Sequence, residues 1–252
     1  MRVRRSEIEK DRHRRFHRTA IHERVDILLT LLDKDIWVAD HDFSLLGVNI
    51  GTRTTVVRLK GGGLFLHSPG PLDSGLSHEI DELGEVEYLV APNKFHHLYL
   101  GDYMARWPAA KVYGAPGLAQ KRMDLHFDGD LQDHPDSGWK DDLDQIWIEG
   151  APKVNEIVFL HRPTQTLLLV DLVFSLKPST FGMRIFSWLN GSQSLGTSRL
   201  MRLLLKDREA TKASVQKIFE WDFDRVIMSH GEIIEADGKS KLSSSFRWLL
   251  DG

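Results

Sequence analysis

The chain has 252 residues, 41% of them apolar and 27% charged, with a net charge of −3. That balance fits a globular domain with one large core and gives no overall attraction to nucleic acid or an anionic membrane. Cysteine is absent, which excludes disulfides, thiolate metal ligands, iron–sulfur clusters and a cysteine nucleophile. No apolar run approaches the ~20 residues of a membrane span. The first 26 residues are charged throughout and do not resemble a secretory leader, so the default expectation is a cytoplasmic location.

Residues 1–32 carry nine Lys/Arg against five Asp/Glu. Arg12, Arg14, Arg15 and Arg18 with His13 and His17 make a basic patch. Ile21, Val25, Leu28, Leu29 and Leu32 recur at helical spacing over 19–32. A solvated N-terminal extension accounts for the segment. A nucleic-acid arm is the weaker reading, because one basic run in an acidic chain is little evidence. The domain itself is expected over 33–252.

From residue 36 the chain is strand-rich. Strands are predicted at 36–39, 54–59 and 64–67, the last two joined as a hairpin through Lys60-Gly61-Gly62-Gly63. A short helix is predicted over 77–83, a buried strand over 86–90, a helix over 99–107, a strand over 111–114 and a helix over 117–123. Residues 124–144, acidic and rich in Gly and Pro, read as a long surface loop. Strands follow at 145–149, 156–160 and 166–170, the last two forming a second hairpin. Residues 175–200 show no clear period. A helix is predicted over 202–220, a strand over 223–228 and a helix over 242–250. Hairpins first and αβ units later predict two sheets with helices outside.

Three predicted strands end in metal-ligand residues. The run 86–90 leads to Asn93-Lys94-Phe95-His96-His97, Val170 leads to Asp171, and Met228-Ser229 leads to His230-Gly231. Histidine and aspartate at distant strand ends suggest one metal site built from separate segments. Glu156 enters through geometry. A turn centred on Pro163-Thr164 sets it opposite Asp171, as a ligand, a supporting partner or a general base. The same register sets His161 opposite Thr166, roughly 16 Å from Asp171 at the usual strand rise, too far to be a ligand. Lys94 supplies positive charge to a substrate oxygen or is a solvated loop residue. Asn93 is a ligand, an oxyanion donor, or the residue that satisfies a turn. Phe181, Ile185, Phe186, Trp188 and Leu189 line a lid, contact a partner or membrane surface, or belong to the core, and core is favoured. No Gly-x-Ser-x-Gly elbow is present, which argues against a Ser-His-Asp hydrolase.

The order of these signals resembles the metallo-β-lactamase fold, and within that superfamily a family without a settled activity. The marks are Ile36-Trp37-Val38, Arg53, Arg58-Leu59, Leu66-His67-Ser68-Pro69, Ala91-Pro92-Asn93 with His96-His97, Glu156-Ile157-Val158-Phe159, Thr166-Leu167-Leu168 leading to Asp171-Leu172, and Ser229-His230-Gly231-Glu232. The resemblance implies an α+β, four-layer αββα sandwich over about residues 33–250. It places the last two positions of the superfamily's His-x-His-x-Asp-His motif on His96 and His97, and the first two on Pro92 and Lys94. A later histidine falls on Ala151, the bridging aspartate on Asp171 and the late histidine on His230. His67 stands where the superfamily has a structural aspartate.

One of two metal positions is thereby lost. What remains implies a single Zn²⁺, Fe²⁺ or Mn²⁺ held by His96, His97, Asp171 and His230. The activity implied is hydrolysis of an unspecified small molecule, with Asp171 or Glu156 handling the proton and Asn93 and Lys94 facing substrate. The alternative is a metal-free binding or scaffold protein that kept the fold and lost the chemistry.

Overall fold

The computed structural model describes residues 28–176, 180–191 and 195–251. The basic patch at residues 12–18 lies outside them. In chain order, β1 (Leu29–Asp33) and β2 (Ile36–His41) lead through a small hairpin, β3 (Ser44–Leu45) and β4 (Val48–Asn49), to β5 (Thr52–Arg58) and β6 (Leu64–His67). Next come α1 (Ser74–Leu83), β7 (Val86–Ala91), α2 (Leu100–Arg106), β8 (Lys111–Gly114), α3 (Leu118–Lys121) and β9 (Gly129–Asp130). The second half holds β10 (Leu143–Trp147), β11 (Ile157–His161), β12 (Thr166–Leu168), α4 (Phe181–Asn190) and α5 (Arg199–Leu204). It closes with α6 (Arg208–Ile218), β13 (Arg225–Ile227), α7 (Gly238–Ser245) and α8 (Arg247–Leu250).

One sheet runs β1-β2-β5-β6-β7-β8-β9 and a second runs β10-β11-β12-β13. Three apolar clusters show the layering. Between the sheets, Ile36, Val57, Phe65 and Val90 meet Ile157, Phe159, Leu168 and Ile227. Outside the first sheet, Val56, Leu66 and Leu89 pack under Leu76 and Ile80 of α1 and Leu100 and Tyr103 of α2. Outside the second, Val158, Leu160 and Leu167 pack under Val215 and Ile218 of α6 and Leu242, Phe246 and Leu249 near the C-terminus. The order is helix, sheet, sheet, helix, the expected αββα sandwich. Alternating side chains of one strand supply both faces of a sheet, which is why β5 and β11 are buried almost end to end.

The hairpin register also agrees with expectation: Phe159 pairs with Leu168, Leu160 with Leu167 and His161 with Thr166. Several local readings are corrected. Leu29–Leu32, read as the end of a helix, belong to β1, which pairs antiparallel with β2, so the sheet starts ahead of residue 33. The helix expected from residue 77 starts at Ser74, because the Asp73 carboxylate accepts the Leu76 N–H and caps it.

Residues 124–144 are not merely a surface loop. Trp139, 1% exposed, enters the inter-sheet core edge-on to Phe65, Tyr88 and Tyr113 and donates its indole N–H to Gln145. The single helix expected over 202–220 is broken at Leu205–Asp207. There Gly150 O accepts the Lys206 and Asp207 N–H groups, and Asp207 caps α6. A Cβ on Gly150 would lie 2.0 Å from Asp207 O, so the break depends on glycine at that contact. Residues 181–190, without a readable period, form α4.

Candidate metal centre

The strand ends meet as the sequence suggested, with one exception. His96 Nε2 lies 3.3 Å from Asp171 Oδ2, and His230 Nε2 lies 3.4 Å from Asp171 Oδ1. The ligand atoms of these three residues all lie within 4.8 Å of one another. Each side chain is held from behind. Asn93, fully buried, accepts the Phe95 and His96 N–H groups at 2.8 Å and donates to Asp171 Oδ2 at 2.7 Å. Its amide thus closes the turn that presents His96 and also fixes the carboxylate. This is the turn reading of Asn93; both ends of its amide are committed to the protein, in place of the substrate role expected.

Glu156 sits behind Asp171. Its two carboxylate oxygens accept the Val170 N–H at 2.8 Å and the Asp171 N–H at 2.9 Å, so it clamps the backbone that carries the ligand. Burial first, and the Asp171 charge second, raise the Glu156 carboxyl to about 8, against the opposing pull of the Val170, Asp171 and Leu172 amides. Burial also pushes Asp171 upward. The charge of His96 and the hydrogen bonds of His230 and His96 outweigh it and hold Asp171 below the usual carboxylate range.

The imidazoles are oriented by their second nitrogens. His230 Nδ1 lies 2.6 Å from Gly51 O. A carbonyl cannot donate, so Nδ1 carries a proton, and Nε2 is the nitrogen turned toward Asp171. Phe174 stacks on the same ring, 5.4 Å between centroids and 7° between planes. Gly231 follows His230 at φ +102°, where a Cβ would meet Ser175 O at 2.1 Å, so no other residue fits there. His96 Nδ1 pairs with Ser68 Oγ at 2.8 Å, and Ser68 Oγ with Ser229 Oγ at 3.2 Å. Ser68 holds a left-handed φ of 58°, a conformation that costs an ordinary residue on the order of 1 kcal/mol. Arg53, 7% exposed, donates to Met228 O at 2.7 Å and ties β5 to the loop carrying His230. Sequence reasoning gave Ser68, Gly51 and Arg53 no role at the site.

The exception is His97. Its Nδ1 lies 2.9 Å from Arg122 Nη1, and a guanidinium can only donate. Nδ1 is therefore the acceptor, and Nε2 of the neutral ring carries the proton. Burial, with Lys121 and Arg122 nearby, lowers its pKa to about 4 and keeps it neutral. His97 stands outside the three-residue group and presents a donor where a ligand was expected. Lys94 also departs from the substrate role. Its ammonium donates to Pro152 O at 3.0 Å, whereas Lys121 lines the cavity. Ala151 is buried with Val154 and Met201 in a small apolar cluster. His161 binds Thr164 Oγ1 at the far end of the hairpin, away from the centre as expected. His67 is a packed strand-end histidine, edge-on to Phe159.

His96, Asp171 and His230 form the polar floor of a cavity of about 620 Å³. Its walls are mainly apolar, with Phe43, Ile50, Phe95, Phe186, Leu189 and Met201 among them. The donor set suits a divalent ion. Each histidine faces a different Asp171 oxygen, and the three residues offer two imidazole nitrogens and a carboxylate to one point.

An αββα sandwich with a His-Asp-His group at its strand ends defines a metallo-β-lactamase-fold protein. Solved structures agree. The chain is similar to the metallo-β-lactamase from Pontibacter korlensis, at 15% identity over 90% of this chain and 100% of that one, with a TM-score of 0.63. It is also similar to that of Hirschia baltica, at 10% identity over 89% and 97%, TM-score 0.60. The mono-zinc form of FIM-1 from Pseudomonas aeruginosa gives 13% identity over 89% and 95%, TM-score 0.61. At such identities the likeness is one of fold. No curated protein sequence matches. Residues 33–183 match the family model described as a domain of unknown function, DUF4336, and the chain belongs to that family.

Proposed function

We propose that this protein is a hydrolase of a small, largely apolar molecule and works with one divalent ion, Zn²⁺, Fe²⁺ or Mn²⁺, held by His96, Asp171 and His230. The observation that carries this reading is the convergence of His96, Asp171 and His230, whose ligand atoms all lie within 4.8 Å of one another. His230 donates its Nδ1–H to Gly51 O, which leaves Nε2 as the nitrogen facing Asp171. Two imidazoles and one carboxylate with open positions are a recurrent catalytic donor set. A bound ion would supply Lewis acidity and a lowered water pKa.

The chain's own residues divide the remaining work. Asp171 faces the cavity and is the proton acceptor within reach of water on the floor. Glu156 does not reach it; it positions Asp171 through the backbone. His97 Nε2–H is a donor for a substrate oxygen, and Lys121 adds positive charge at the wall. Residues 1–28 act as an extension to the domain, whose first sheet begins at Leu29.

The metal-free scaffold alternative draws on Pro92, Lys94 and Ala151, none of which offers a ligand at the positions where the superfamily has histidine. Elemental analysis of tag-free protein decides between the two. The hydrolase reading expects one ion per chain, together with hydrolysis of apolar esters or amides that is lost on chelation and restored by the ion. No metal after reconstitution with all three ions would support the scaffold.

A further inference from the structure

Helix α4 packs Met183 and Phe186 inward and turns a second apolar face to solvent. Phe181, Ile185 and Trp188, at i, i+4 and i+7, share one face, and Phe181 is 79% and Trp188 61% exposed. Arg184 flanks that face, while Ser187 is fully buried. The next face, Phe186, Leu189 and Asn190, lines the cavity. Helix α5 repeats the pattern: Leu200 and Leu204 line the cavity, Leu203 is 75% exposed, and Arg199 and Arg202 stand beside them. The two helices thus form an apolar rim around the cavity mouth, continued by Leu46 and Leu98. Soluble chains seldom leave so many large apolar groups together in water.

Charge identifies the occupant. Between Asp171 and Asp207 the sequence holds five Lys/Arg and no acidic residue, although the chain as a whole is net negative. A second copy of this chain docked two-fold on the face would oppose the same cations to one another, so self-association is disfavoured. Trp and Phe at an apolar face edged by arginine are the composition of a helix lying in a lipid interface, and the arginines call for anionic headgroups.

We propose that the α4–α5 face docks on an anionic lipid surface, with the cavity mouth against it. An apolar amphiphile could then pass from the bilayer to the polar floor without crossing water. That second step rests on the hydrolase reading; the docking does not.

The test is co-sedimentation of the full chain with vesicles of phosphatidylcholine, with or without one quarter phosphatidylglycerol. Phe181, Trp188 and Leu203 lie outside the cavity lining, so the triple variant Phe181→Ser, Trp188→Ser, Leu203→Ser spares the site. Binding is expected to be at least about tenfold stronger on the anionic vesicles and to fall about tenfold or more in the triple variant, with its circular dichroism and metal content unchanged. Arg184→Gln should weaken only the anionic binding. Equal binding by parent and triple variant would overturn the proposal and assign any affinity to other basic segments. A parent that binds neither vesicle would also overturn it, and dimerisation lost in the triple variant would assign the face to a second copy. His230→Ala separates the two readings: metal retained in this variant would defeat the proposed ligand set and the hydrolase reading, while full vesicle binding by it would leave the docking standing.

Discussion

Asn93 is the sharpest point at which to test how the centre is built. Asn93→Ala removes three hydrogen bonds at once, the one to Asp171 buried and the two from Phe95 and His96 part-buried. The bond to the ionised Asp171 oxygen is worth about 1.5–3 kcal/mol and the two bonds from backbone N–H groups about 1 kcal/mol each, so a loss of about 3–5 kcal/mol in unfolding free energy is expected. Metal affinity should fall about 10–100-fold, the usual effect of removing a group that orients a ligand. Asn93→Asp separates the two jobs. It keeps the acceptor for the Phe95 and His96 amides but replaces the donor to Asp171 with a like charge, a repulsion of several kcal/mol at an effective dielectric of about 20. The assays are urea unfolding and competition for Zn²⁺ against a chelating dye. Both substitutions should weaken the metal, and only the alanine should open the turn. An Asn93→Ala protein within about 0.5 kcal/mol of the parent, the level of an ordinary surface change, and with unchanged metal affinity would refute this account of the site.

Three further outcomes are expected. Dialysed protein should retain at most one divalent ion per chain; His230→Ala or His96→Ala should abolish its binding, while His97→Ala and Lys94→Ala should leave it intact, as metal analysis will show. Acid should destabilise the fold, because burial lowers His41 to about 4 and His67 to about 3. The unfolded chain, with histidine near 6.5, binds more protons between those values, so stability present above about pH 6.5 is lost as the pH falls through 5, by up to about 3 kcal/mol from His41 alone. Urea midpoints from pH 7 to 4.5 should fall less steeply in His41→Asn, and an identical slope would remove His41 from the explanation. Deleting residues 2–26 should leave the Tm nearly unchanged, since the sheet is built from Leu29 onward; a fall of more than a few degrees in a thermal melt would place the extension in the fold.

Much of this was legible in the sequence where local pattern and tertiary role coincide. The 156–170 hairpin is one case, because a Pro-Thr turn between two apolar runs fixes the register. That register sets Glu156 opposite Asp171. The three strand ends bearing His96, Asp171 and His230 are another. What could not be read is what distant chain supplies. Arg122, which claims the His97 lone pair, lies in a different segment. Gly51, which fixes His230, reaches it through a backbone carbonyl, a group every residue has. Helix α4 was missed for a different reason. Phe181, Ile185 and Trp188 face outward while Ser187 is buried and Met183 and Phe186 pack inward, so apolar residues all round the helix leave no readable period. The break before α6 did leave a signal, Asp207 with Glu209 behind it, which reads as a helix start once the run is not taken as one helix.

The arrangement around Asp171 makes the case for a cation from charge alone. The carboxylate is 6% exposed, and its ion-pair partners among the described residues are His96 and His230. A buried carboxylate without a countercharge is costly. His230 donates Nδ1–H to Gly51 O and points Nε2 at a carboxylate oxygen 3.4 Å away, where a bare lone pair would face another acceptor. A positive group between the two removes that repulsion. A proton on Nε2 would make the ring an imidazolium and the site a closed ion pair, as the scaffold reading requires. A divalent ion would satisfy both lone pairs and keep a position open toward the cavity. Glu156 favours the second. By clamping the Val170 and Asp171 amides it fixes the direction of the Asp171 carboxylate. A fixed direction matters for metal coordination, whereas an ion pair tolerates many geometries.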